Sequence, residues 1–164
     1  MQIGSITFCF LISKTNIMKT KDKQLKDIEW LSADKMHDTS KQWLSELEFI
    51  KDEQLFFDDL IKSYTLQLID SKHFGESKEI VDKLSKFQKK TDSLIKIIKT
   101  HEGELKIMSE GMYQLEKKEN YKTKHGELNI NVIEFLKKYR VLKTQLFNLI
   151  KNIIKEQKQK RLLQ

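Results

Sequence analysis

Apolar residues recur along this chain at alternating intervals of three and four, the spacing that keeps one stripe of a helix turned toward a neighbour. The first such run holds Met36, Ser40, Trp43, Leu47, Ile50, Gln54, Phe57, Ile61, Tyr64 and Leu68. A second runs from Ile80 through Leu84, Phe87, Thr91, Leu94, Ile98, His101, Leu105, Met108 and Met112 to Leu115. The third comprises Leu128, Val132, Phe135, Tyr139, Leu142, Leu146, Leu149 and Ile153. Of these 29 seam positions 25 are apolar or aromatic, so a buried interface between helices is encoded almost throughout.

The phase of each run also locates its end. Continuing the first beyond Leu68 reaches Ser71, Gly75 and Lys78, which places a turn at His73-Phe74-Gly75. Continuing the second beyond Leu115 reaches Glu119, Lys122 and Gly126, which places a second turn between Asn120 and Gly126, with Thr123 as cap of the next helix. Ser32 has the hydroxyl of an N-cap and Asp34 the charge that a first helical turn favours. The expected fold is therefore all-α: an elongated antiparallel three-helix, coiled-coil-like bundle with helices over about 32–72, 76–119 and 124–161. Gly103 and Gly111 are the positions where the second helix is expected to be weakest or kinked.

Before the bundle, residues 1–31 form a separate N-terminal segment. Leu25, Ile28 and Leu31 have helical spacing and predict a short fourth element folded back on the first helix. Met18 followed by a lysine-rich stretch is an alternative start that would leave residues 1–17 outside the folded protein.

Composition narrows this picture without changing it. The 164 residues include no proline and five glycines, too little turn chemistry for a sheet-rich fold. Cys9 is the only cysteine, which excludes an intrachain disulfide and points to a reducing cytoplasm. The apolar run Ile6 to Ile12 is too short to cross a bilayer.

Charge is segregated. Residues 32–72 carry five basic against nine acidic side chains, and residues 122–164 eleven basic against three acidic, within an overall charge of +7. The first and third helices should attract one another along their flanks. The surplus at Lys151, Lys155, Lys158, Lys160 and Arg161 marks candidate contacts for an anionic partner, nucleic acid first and an anionic membrane surface after it.

Candidate chemistry is sparse. Asp34-x-x-His37 and Asp70-x-x-His73 each put a carboxylate and an imidazole on one helical face, but about 54 Å apart along a helix. His37 shares one end of the expected bundle with His125 and Glu127, the nearest approach to a metal cluster. His101 occupies a seam position, where burial demands a hydrogen-bond partner; the hairpin places it opposite Leu47, near Glu46 and Glu48. Thr91 and Gln54 are expected to set register in the same way. No phosphate-cradling loop or nucleophile motif is present, so no catalytic, cofactor or metal residue is assigned and a non-enzymatic role is expected.

The least explained residues are Phe49, Leu55, Phe56, Leu66 and Ile69, apolar but outside the first seam. They are the candidate surface for a protein partner or for self-association. Nucleic-acid binding through the basic third helix is the alternative.

Overall fold

The computed structural model describes residues 32–70, 72–110 and 115–163. Residues 1–31, with Cys9, Met18, Leu25, Ile28 and Leu31, lie outside them, as do Gly111 and the seam side chains of Met108, Met112 and Leu115. The described chain is all-α: helix α1 (Ala33–Ser63), a single turn α2 (Thr65–Leu68), α3 (Phe74–Glu110) and α4 (Leu115–Leu162). α1, α3 and α4 form a three-helix bundle.

The start of α1 follows from its cap. The Ser32 hydroxyl accepts from the Lys35 backbone N–H at 3.3 Å, and Asp34 sits in the first turn. The end comes earlier than the expected residue 72. Ser63 donates its hydroxyl to the Asp59 carbonyl, and Thr65 to those of Ile61 and Lys62. Such back-bonding competes with the helical ladder, and Tyr64 leaves helical geometry at φ −112°, ψ 17°. The turn α2 then carries Leu68 back into the core.

At the first hairpin α3 begins with Phe74, so Gly75 lies inside the helix rather than ending one. Ion pairs and hydrogen bonds fix the antiparallel register of α1 on α3: Gln54 with Thr91, Lys51 with Asp92 and Glu48 with Lys99. α3 continues through Gly103 as one helix, with no positive φ there.

The second turn differs most from expectation. Residues 120–126, where it was expected, lie inside α4, which extends over 48 residues. Thr123 caps nothing; its hydroxyl donates to the Glu119 carbonyl within the helix. The third seam, stepped backward from Leu128 by three and then four, reaches His125 and Tyr121, both buried. Those two residues complete the heptad phase with rings rather than aliphatic chains.

The core is one cluster along the three seams. Leu47, Ile98, Val132 and Phe135 have no accessible surface, and Trp43, Phe57, Leu84, Tyr139 and Leu146 pack with them. Gln54 donates its side-chain amide to the Thr91 hydroxyl at 3.0 Å, and that hydroxyl donates to the Phe87 carbonyl, which satisfies a buried polar pair between α1 and α3. Of the attraction expected between acidic α1 and basic α4, one direct ion pair is formed among the described residues, Lys143 to Glu53 at 2.9 Å.

Candidate functional site

The five apolar residues of the first helix are exposed as expected, at 67% for Phe49, 59% for Leu55, 56% for Phe56, 77% for Leu66 and 57% for Ile69. They do not form one face. Phe49 and Phe56 are seven apart and share a stripe to within about 20°. Leu55 lies about 100° around the helix from Phe56, on the side toward α3. Beyond the break at Tyr64, Ile69 joins Phe74 and Val81 in a shallow apolar cleft of about 200 Å³ at the hairpin end, while Leu66 stands exposed on α2.

The Phe49 and Phe56 stripe borders α4. The Phe57 ring lies 6.0 Å from that of its neighbour Phe56 and 5.5 Å from that of Phe147 on α4, the latter edge to face. Phe147 is itself 44% exposed. Phe56 and Phe147 thus stand exposed beside the core ring of Phe57, which is 1% exposed, and with Phe49 on the Phe56 stripe they make up the exposed aromatic strip of α1 and α4. Single exposed apolar side chains are ordinary on a protein surface, whereas several exposed aromatic rings close together make a candidate interface.

At the opposite end of the bundle a second site emerges. His101 Nε2 and His125 Nδ1 lie 3.0 Å apart, so one ring donates to the other. Tyr121 stacks on His101 with ring centres 4.0 Å apart and a 5° tilt, and its hydroxyl donates to the His101 carbonyl at 3.0 Å. Trp43 stacks on His125 at 4.7 Å. The layer thus joins all three helices. Burial disfavours the imidazolium: it pushes His125 down to about 4, with the neighbouring His101 adding to the effect. Burial also lowers His101, partly opposed by Glu104 and reinforced by Lys124. Tyr121 is raised by burial and then by Glu104 and Glu102. At neutral pH the pair is uncharged, each ring fixing the tautomer of the other.

This layer replaces the arrangements anticipated for the histidines. His101 meets His125 and Tyr121 of α4, and Glu48 is engaged by Lys99 instead. His37 pairs with Glu102 at 3.1 Å rather than meeting His125 and Glu127. His73 bonds Glu156 at 3.0 Å, far from Asp34 and His37. Among the described residues no group of three or more His, Cys, Asp or Glu side chains converges on a metal position.

The basic residues Lys151, Lys155, Lys158, Lys160 and Arg161 are all exposed. From Lys137 to Leu163 the sole acidic side chain is Glu156, which is engaged by Lys72 and His73. Lys151, Lys155 and Lys158 share the outward side of α4, whereas Lys160 and Arg161 turn to other faces. No helix of the described chain is long and apolar enough to cross a membrane.

No family model, curated protein or solved structure matches the chain. Sequence reasoning reached the exposed phenylalanines and the burial of His101, and placed His125 with His37 and Glu127 rather than in the core; it missed the burial of His125 and Tyr121 and the exposed ring of Phe147. The first two were legible by stepping the third seam backward. Phe147 follows the seam residue Leu146 directly and drew no notice.

Proposed function

We propose that this chain is a non-enzymatic, cytoplasmic interaction protein whose three-helix bundle presents the strip of Phe49, Phe56 and Phe147 to a protein partner. The single observation that carries this reading is the exposure of Phe56 and Phe147 beside the core ring of Phe57, with Phe49 exposed on the Phe56 stripe. Water-exposed phenylalanine is unfavourable by about 25 cal/mol per Å² of apolar surface that a partner would cover, so the strip is a reservoir of association free energy. The heptad seams supply the rigid scaffold, and the single cysteine fits a reducing compartment.

The test is affinity purification of the tagged full-length chain from its native host, comparing wild type with the Phe49→Ser/Phe56→Ser variant by quantitative mass spectrometry. Proteins recovered with wild type and lost with the variant support the reading. An identical set recovered with both refutes it.

A second reading, binding of nucleic acid by α4, is favoured by the run from Lys137 to Leu163 with one acidic residue, itself engaged elsewhere. Affinity for DNA or RNA would then fall steeply with salt and respond to Lys151→Glu and Lys155→Glu. Lack of binding at low salt ends that reading.

A further inference from the structure

We propose that the aromatic strip is covered by a second copy of this chain, in a parallel two-fold dimer that sets α1 of each copy against α4 of the other. The inference rests on the protein-association reading above and names its partner.

The argument comes from the two rims of the strip, which carry opposite charge. Asp52 follows Phe49 by three residues and Asp59 follows Phe56 by three, so each carboxylate turns about 60° further from α4 than the ring before it. On the α4 side Arg140 precedes Phe147 by seven residues and Lys151 follows it by four, so both stand on the outward side of the Phe147 stripe. Asp52, Asp59, Arg140 and Lys151 are exposed. Asp59 has only the local partner Lys62 on its own helix, and among the described residues neither Asp52 nor Arg140 has an ion-pair partner.

Two isologous arrangements can close such a face on itself. A two-fold axis across the helices sets α1 on α1 and α4 on α4, acid facing acid and base facing base. An axis along the helices sets α1 on α4 of the other copy, and there the rims attract. Charge therefore selects the second arrangement.

Height along the bundle selects it again. Side chains in contact between α1 and α4 differ in number by 82 for Trp43 with His125 and for Phe57 with Tyr139. The difference is 90 for Glu53 with Lys143 and for Phe57 with Phe147. Asp52 and Arg140 differ by 88, within that span, so they stand at the same level on opposite rims. A two-fold axis along the helices preserves level. It brings Asp52 of each copy to Arg140 of the other, at both edges of the aromatic strip, with Lys151 about one helical turn above the level of Asp59.

Sedimentation equilibrium of the purified full-length chain tests this. The wild type is expected at twice the mass of one chain, shifting toward a single chain as sodium chloride is raised. Asp52→Lys alone and Arg140→Glu alone each place like charges at both contacts and are expected to weaken self-association by about tenfold or more. An equimolar mixture of the two variants is expected to recover the double mass, because every contact in the mixed pair joins opposite charges. Circular dichroism of each variant reports whether the helices are intact.

A wild type that remains a single chain at all concentrations overturns the inference, as does a mixture no heavier than its components. The wider reading is judged separately. A monomeric wild type that still captures a different protein through Phe49 and Phe56 removes the second copy and leaves the interaction role standing; a monomer that captures nothing through them removes both.

Discussion

Acidification should weaken this bundle through the histidine layer, by an amount that two substitutions can isolate. The unfolded chain binds a proton at His125 near its ordinary pKa of 6.5, whereas the folded site accepts one only near 4. Between those values the unfolded state holds more protons, so stability falls as the pH drops. At pH 4.5 the linkage contribution from His125 is about 2.5 kcal/mol relative to pH 7.5, at about 1.36 kcal/mol per tenfold difference in proton affinity. His101, lowered by the same burial, acts in the same direction. Other charges face the layer: His37 on α1, Glu102 and Glu104 on α3, and Lys124 and Glu127 on α4. Their titration is common to wild type and variant. The variant is His101→Leu/His125→Phe, which keeps a ring against Trp43 and removes both imidazoles together, so neither is left unpaired. Urea unfolding followed by circular dichroism at pH 7.5 and 4.5 gives the two pH dependences. Wild type should lose at least about 2.5 kcal/mol more than the variant over that interval, His101 adding to the contribution of His125. Equal losses would refute the claim that a buried neutral histidine pair joins α3 to α4.

Other substitutions probe the packing and the register. Leu47→Ala, at a position with no accessible surface, should cost about 3 to 5 kcal/mol in urea unfolding through lost burial and the cavity left behind. Thr91→Val removes the acceptor of the buried Gln54 amide and should cost about 1 to 3 kcal/mol, most of it regained in Gln54→Leu/Thr91→Val; a double variant weaker than the single would contradict the pairing. Gly103→Ala meets no atom within 4 Å and should stabilise α3 by about 0.5 to 1 kcal/mol, read as a higher thermal midpoint.

The class of fold was legible because alternating intervals of three and four leave a helix only one stripe to bury, and the seam of α1 is buried or half-buried from Met36 to Leu68. Helix ends were less legible, since they depend on local competition for carbonyls. α1 breaks at Tyr64 before the seam gives out, with the hydroxyls of Ser63 and Thr65 on the carbonyls of the preceding turn. Around Asn120 to Gly126 the polar and glycine residues look like a turn, yet the buried rings of Tyr121 and His125 hold that stretch inside α4. The phase of the heptad carried the correct answer there, and residue polarity concealed it. The histidine pair joins residues 24 apart in sequence, so it becomes visible only once residues 120–126 are known to lie inside α4. The exposed rings of Phe49 and Phe56 were evident from phase alone, whereas their separation from Leu55, Leu66 and Ile69 required the direction of α4.

Hydroxyl-radical footprinting of the full-length chain tests the association claim most directly. Phe49 and Phe56 should be modified readily in purified protein diluted until it sediments as a single chain and protected in native host extract, while Leu55, similarly exposed on the other flank, is modified to the same extent in both. Equal modification of Phe49 and Phe56 in the two preparations would contradict the account.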